Sequence, residues 1–524
     1  MRFEVAAMRS SMLFQFLFWA LAVSAPAADP KTANTSLWKE FVADPTSALL
    51  PDFSYSGYHH GEKAIPEIKG PVFNVVDYGA VPNNGKNASA AIQAAIDACE
   101  AAGGGVVFFP KGTFIINDDK MTTQPRIRVT QSRVVLRGSG SGIDGTILYS
   151  PAELQPRNPL QMWTGKAPIA ITNPKTISPK TARVTSKASR GSMELTLGAG
   201  HRFEPGERIV LRLNPKMESN ASFIAPHPWD PQWSSGISIH EIHEITAVSG
   251  NLVHLAEPLM LGVDNGTDWW VEQTHLLSEV GVEFIRFRGN WKQKFVHHRS
   301  WLDDSGWRGL EIDGCENSWV RNCVFEDMNW PLLIRHSRQI SVENLELTGT
   351  PGHMGMQVIG TYGVLALGVR DLAGHHHGPS VQSAACCTVY HRCSWAPDTS
   401  FDSHANNPYA TLHDLNEGGL ELSGVGGSQF NFPHHLHALV LWNLNVLQMP
   451  KQPVSFWTMG KEHYPKTFAQ VLIAGVHGVP LELDESTVCR NESPGREVLP
   501  KSLWLAQLER RLKKIPDHFR SYEF

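Results

Sequence analysis

Valines recur along the middle of this chain at a nearly constant interval. Val320, Val342, Val364 and Val389 anchor strand-like segments and lie 22, 22 and 25 residues apart. A period of this size is one coil of a solenoid, whose units each bury too little apolar surface to stand alone and so must stack. Residues 281–288, 319–325, 340–347, 363–369 and 388–395 are the segments concerned, and 439–446 and 471–476 continue the pattern after longer loops. A chain of 524 residues can form such a stack as a single body.

The stack has a legible beginning. Phe73, Val75 and Val76 open an extended segment, which Asp77-Tyr78-Gly79-Ala80 leaves in a turn. Asn87-Ala88-Ser89 supplies N-cap chemistry for a helix whose apolar face is Ile92, Ala95, Ile96 and Cys99, and Gly103 to Gly105 end it. Val106 to Phe109 is a short apolar run of the kind buried on both faces of a parallel sheet, turned by Pro110-Lys111-Gly112. No GxGxxG lies between strand and helix, which argues against a nucleotide-binding βαβ unit. With DYGA, the AIQAAID helix and GGGVVFFPKGTF, residues 73–117 resemble the N-terminal signature of the pectate-lyase-3 (rhamnogalacturonase/epimerase-like) type of the pectin-lyase-like superfamily. The resemblance implies an all-β fold, a right-handed parallel β-helix whose N-terminal end is capped by that helix, and action on polysaccharides.

Residues 1–27 read as a secretory signal peptide, with Arg2 and Arg9, an apolar run from Met12 to Val23, and Ala25-Pro26-Ala27 at the cleavage region. The mature protein is therefore expected to be secreted or periplasmic, with no membrane span. Residues 28–70 read as a lead segment packed along the solenoid, and 71–150 as its first coils. Residues 151–275 read as an inserted antiparallel β module, 276–500 as the main coils, and 501–524 as a terminal amphipathic helix closing the far end. Lys plus Arg 46 against Asp plus Glu 51 leaves no basic surplus, so nucleic acid is not an expected partner. An acidic polysaccharide is, because a local cationic cleft can sit on a near-neutral body. The seven cysteines show no metal-knuckle spacing and fall mostly within apolar patterns, as small core residues do.

Ten of the 24 histidines lie between His353 and His437, and coil arithmetic stacks several of them. His353 and His375 both fall eleven residues after an anchor valine, His377 and Asp402 thirteen, Arg335 and His404 fifteen. One groove is thus expected to hold Arg335, His353, His375, His376, His377, Asp402 and His404. Such a groove suits β-elimination on a uronate, which needs a base at C5, an acid at the leaving oxygen and donors that neutralise the carboxylate. His375 or His377 can be the base and Tyr409 or His404 the acid. Arg335, Asn406 and Asn407 can meet the carboxylate, while Trp229 and Trp233 can stack on sugar. Asp402 can bind calcium with the asparagines, or another divalent metal with the paired histidines. Two other readings remain open. One is hydrolysis by paired carboxylates drawn from Asp303, Asp304, Asp402, Asp414 and Glu417. That pattern departs from polygalacturonase-like relatives, for the chain lacks their Asn-Thr-Asp and Arg-Ile-Lys segments. The other is a non-catalytic carbohydrate-binding or adhesin solenoid.

Overall fold

The computed structural model describes residues 33–174, 179–213, 223–225, 227, 236–264, 268–428, 431–459 and 465–522. Within these the chain winds as a right-handed parallel β-helix. Each coil passes through a first sheet of thirteen strands, then a second of six, then a third of seven. Beyond Ser394 the second sheet continues as three short strands at residues 417–418, 445–446 and 477–478. Strands of the second sheet alternate, with Phe287 and Leu347 buried between half-buried neighbours, as a sheet with one face toward the core requires.

The N-terminal cap forms as expected. Helix α2 (Ser89–Ala101) follows α1 (Ser36–Ala43) of the lead segment, and its Ile92, Ala95, Ile96 and Cys99 are fully buried against the first coils. Asn87 Oδ1 accepts from Ser89 N at 2.8 Å, fixing the helix start. The glycines that end it are demanded by space as well as by φ. At φ +120° and +145°, a Cβ on Gly104 or Gly105 would lie 2.5 Å from the carbonyl oxygen of Arg133 or Pro71.

The coil register departs from the valine spacing in an instructive way. Val320 pairs with Val342, but Val342 pairs with Ala366, and Val389 with Leu365. The two-residue slip leaves Val364 pointing into the solenoid beside Val342; the further one-residue slip turns Val389 to the outer face. The two additional residues sit in the turn between the second and third sheets. Phe325 pairs with Leu347, 22 residues on, whereas Leu332 pairs with Met356, 24 residues on. That turn carries His353.

Six antiparallel strands from Thr181–Arg183 to Trp269–Thr274 form the inserted module. Residues Ile169–Thr172, expected within it, instead pair in the third sheet of the solenoid, so the module starts later than its composition suggested. It packs on the outer face of the first sheet. There Tyr362 Oη donates to Pro258 O at 2.9 Å and Tyr409 Oη to Glu241 at 2.9 Å. Helix α4 (Leu503–Leu512) lies on the same flank instead of closing the last coil. Its Ser502 cap and the amides of Leu503 and Trp504 converge on Asp414, with three further strands of the first sheet beyond it. All seven cysteines are free thiols, six of them buried, consistent with packing residues.

One interior residue is expected to make the solenoid acid-sensitive. His413 lies inside the coils with its ring 4.3 Å from Phe401 and 5.2 Å from Tyr390, and burial pushes its pKa down to about 3. A folded-state pKa below the unfolded value of about 6.5 means that protons bind the unfolded chain first. The stabilising contribution is complete above that value and is lost as pH falls toward the folded pKa. His413→Phe is expected to lose less stability than wild type between pH 7 and 4.5, by on the order of 2–3 kcal/mol in urea unfolding. Parallel pH profiles of the two proteins would reject this.

Candidate active site

The turns that lead from the second sheet into the third converge on one side of the solenoid and carry five histidines, with a sixth, His404, just beyond a strand of the third sheet. His297 and His298 come from the loop before α3 (Trp301–Ser305), a loop pinned by that helix's two carboxylates. Asp303 accepts from Val296 N at 3.1 Å and pairs with Arg299 at 2.7 Å; Asp304 accepts from His298 N at 3.1 Å and Nδ1 at 2.6 Å. His353 belongs to a turn two coils on, His376 and His377 to the next, and His404 follows the short strand Asp402–Ser403 in the one after. Ring centroids of His353 and His377 are 5.3 Å apart, those of His377 and His404 5.0 Å, and those of His297 and His376 4.8 Å.

Two carboxylates organise this cluster. Asp304 fixes the loop of His297 and His298. Asp402, 1% exposed, lies within 2.9 Å of His404 Nδ1 and 3.5 Å of His377 Nδ1 through Oδ2, and its Oδ1 accepts from Gly426 N at 2.9 Å. The electrostatics follow from these neighbours. Burial, then the surrounding imidazoles, hold His377 well below the ordinary histidine range, and burial does most of the same for His353. Burial and then His298 and His376 bring His297 to about 4. His404 goes the other way, because the charge and hydrogen bond of Asp402 outweigh burial and raise it.

Several residues expected in the groove stand elsewhere. His375 does not stack on His353. The bridge between Met354 and His377 aligns His353 with His376, and the His375 ring turns inward, Nδ1 2.8 Å from Asp371 and Nε2 3.1 Å from Met328 O. With both nitrogens engaged it braces the turn. Arg335 continues the outward row of His404, but Ile359 and Gln382 intervene, a distance of about 14 Å over three strand spacings. It is paired with Glu311 at 2.7 Å and Asp313 at 2.9 Å. Tyr409 is fully buried beneath the inserted module, where its hydroxyl is bound to Glu241 and cannot meet a leaving group. Asn406 and Asn407 lie in the turn from the third sheet back to the first, with amides on Asn431 O and Pro433 O. Trp229 and Trp233, like residues 1–27, lie outside the described residues. Of the carboxylates considered for hydrolysis, Asp414 is occupied by α4, and Asp303 and Asp304 by their own loop.

Sequence reasoning passed over His297 and His298 because the repeat was counted from Val320 onward, one coil too late to include their loop. A second histidine doublet, HHRS beside AGHHHGPS, was the available signal. Trp163 was missed as well. It is 52% exposed beside His298, at 6.3 Å between rings, and offers an aromatic face next to the cluster.

The comparisons with known proteins bear first on the scaffold. Residues 72–149, the cap and first coils, match the family model described as rhamnogalacturonase A/epimerase, pectate lyase-like. The match likens the cap and first coils to that family and stops short of the histidine-bearing turns. Residues 374–522 match a second model, described as a domain of unknown function (DUF4955), and that segment contains His376, His377, Asp402 and His404. Mannuronan C5-epimerase AlgE3 of Azotobacter vinelandii is 40% identical over 70 residues, 13% of this chain and 4% of that protein's length. Among solved structures, the tailspike gp49 from Pseudomonas phage LKA1 aligns at 12% identity over 77% of this chain and 71% of its own, TM-score 0.44. The A-module of Azotobacter vinelandii mannuronan C5-epimerase AlgE6 aligns at 12% identity over 82% and 99%, TM-score 0.30.

Proposed function

We propose that this protein is an exported enzyme that cleaves a uronate-containing polysaccharide by β-elimination, with His404 as the base and Asp402 as the carboxylate that orients it. The observation that carries the reading is the Asp402–His404 contact of 2.9 Å among the clustered histidines. Nδ1–H donated to a carboxylate leaves the lone pair on Nε2, the tautomer a general base requires. Proton removal from C5 places charge on the adjacent carboxylate; the C4–O bond then breaks, leaving a C4–C5 double bond and a leaving oxygen that takes a proton. His376, which adjoins His377 on the side where His404 packs, is the near donor for that proton. Trp163 and Phe295, whose ring lies 5.6 Å from His353 and 5.4 Å from His376, supply faces on which sugar can stack.

The mannuronan C5-epimerase that shares a short segment with this chain is likewise named for a reaction at C5 of a uronate. Elimination is favoured here because a hydrolase would want two free carboxylates flanking the bond. In this cluster Asp304 is saturated by His298 and only Asp402 remains beside a histidine facing the groove. Export rests on the leader-like residues 1–27; among the described residues no helix is long and apolar enough to cross a membrane.

The test is incubation of the purified protein with polymannuronate, polyguluronate, polygalacturonate and neutral glycans in deuterated buffer. Ultraviolet absorbance of unsaturated ends, reducing ends and deuterium at C5 are followed together. Absorbance rising with reducing ends is expected. Reducing ends alone would replace elimination by hydrolysis, deuterium at C5 without cleavage would replace it by epimerisation, and silence on every uronan would remove the reading.

A further inference from the structure

We propose that His297, His353 and His377 form a binding site for a divalent transition-metal ion, with a coordination position left open toward the groove. One ring nitrogen from each lies within 4.8 Å of those of the other two. His353 and His377 are 3% and 1% exposed, and His353 Nε2 and both nitrogens of His377 lack hydrogen-bond partners. Buried polar atoms are nearly always satisfied, so the Nε2 atoms of His353 and His377 in one small volume ask for a partner the polypeptide does not supply.

The surroundings already hold these rings as ligands are held. His353 Nδ1 lies 3.0 Å from the carbonyl oxygen of Asp304. A carbonyl only accepts, so Nδ1 carries the proton and Nε2 presents its lone pair. His377 Nδ1 faces Asp402 at 3.5 Å, which leaves Nε2 for an ion and reproduces the carboxylate–histidine–metal arrangement. His297 arrives on the loop pinned by Asp303 and Asp304. Metal–nitrogen bonds of about 2.1 Å put ligand nitrogens roughly 3.4 Å apart, so the three need draw in by about an ångström, and exposed His297 is free to do so. A second grouping, His377, Asp402 and His404, is equally close. There, however, Asp402 and His404 already satisfy each other at 2.9 Å, and the three-histidine set is the one with vacant nitrogens.

Three imidazole nitrogens select a zinc-like ion over calcium or magnesium, which want oxygen. Three protein ligands leave a position that a uronate carboxylate can take. This would supply the neutralising charge that Arg335, committed to Glu311 and Asp313, cannot. That catalytic role rests on the uronate reading; the binding of the ion does not.

Untagged protein, stripped with a chelator and dialysed, is titrated calorimetrically with Zn²⁺ alone and spectroscopically with Co²⁺ alone. One equivalent of Zn²⁺ should bind, Co²⁺ should give visible d–d bands of a nitrogen-ligated site, and excess Ca²⁺ should displace neither. His297→Ala, whose exposed ring makes it safe for folding, and His353→Gln should each weaken Zn²⁺ binding by about 10- to 100-fold or more. His336→Ala, at the far end of the third sheet, should leave it unchanged. Absence of a stoichiometric equivalent, or equal binding in wild type and both variants, would overturn the site. Binding without turnover of any uronan keeps the site and removes the lyase; undiminished cleavage by metal-free protein keeps the lyase and removes the ion's part in it.

Discussion

Asp402→Asn is expected to lower kcat on a cleavable uronan by about 100- to 10,000-fold while KM stays within a few-fold. The substitution is isosteric, and an amide oxygen can still accept from Gly426 N, so the turn that holds it should keep its shape. What changes is the partner of His404 Nδ1. A carboxylate accepts only; an amide also donates, and its NH₂ turned toward Nδ1 would impose the opposite tautomer and occupy the lone pair needed at Nε2. Loss of the charge also removes the interaction that raises the His404 pKa against burial. His404→Ala should match the loss, and the double variant should be no worse than either single one, because the two residues act as a unit. Unchanged thermal unfolding of Asp402→Asn would separate this from a folding defect. An Asp402→Asn enzyme within threefold of wild type would end the assignment of His404 as base.

How far the sequence led depends on the range of the signal. The capping helix was legible because its period and its terminating glycines are local, and Ile92, Ala95, Ile96 and Cys99 are buried as the spacing requires. The coil itself was legible, but its register was not. The turn carrying His353 is two residues longer than its predecessor, and a fixed period carried past it misaligns everything downstream. His377 and Asp402 are three residues out of the expected alignment, since Asp402 pairs with Ser380, and only their side chains meet, at 3.5 Å. His375 fell out of the groove by the same arithmetic. Tyr409 could not have been placed by counting at all. Between Asn406 and Tyr409 the chain turns from the third sheet to the first, and the tyrosine meets Glu241 of a module inserted 168 residues earlier. The histidine cluster is therefore a product of turn length, the one quantity that periodicity averages away.

A second substitution tests how that inserted module is joined to the coils. Arg338→Ala is expected to destabilise the protein by about 3–5 kcal/mol, read as a fall in the urea midpoint. Arg338 is 1% exposed on the first sheet, and its guanidinium pairs with Glu257 of the module, with Glu316 of the neighbouring coil at 2.7 Å and with Glu244 at 3.4 Å. Burial draws its pKa down only to about 10, so it remains cationic at neutral pH. The cost of its removal comes less from lost attraction than from the carboxylate left behind, since Glu257 is fully buried. Arg338→Ala with Glu257→Gln should therefore be more stable than Arg338→Ala alone. The pH dependence carries a further signature. His60 Nε2 lies 2.8 Å from Glu257, and burial followed by the charge of Arg338 holds its pKa at about 3. Without Arg338, the imidazole faces an uncompensated carboxylate, so its folded pKa should rise toward or above the unfolded value of about 6.5. Protonation would then restore a cation opposite Glu257, and the deficit of Arg338→Ala relative to wild type should shrink as pH falls from about 8 to about 5.5. A deficit that is constant over that range, or absent throughout, would mean that apolar contact holds the module to the first sheet and that the ion cluster beneath it contributes no net stability.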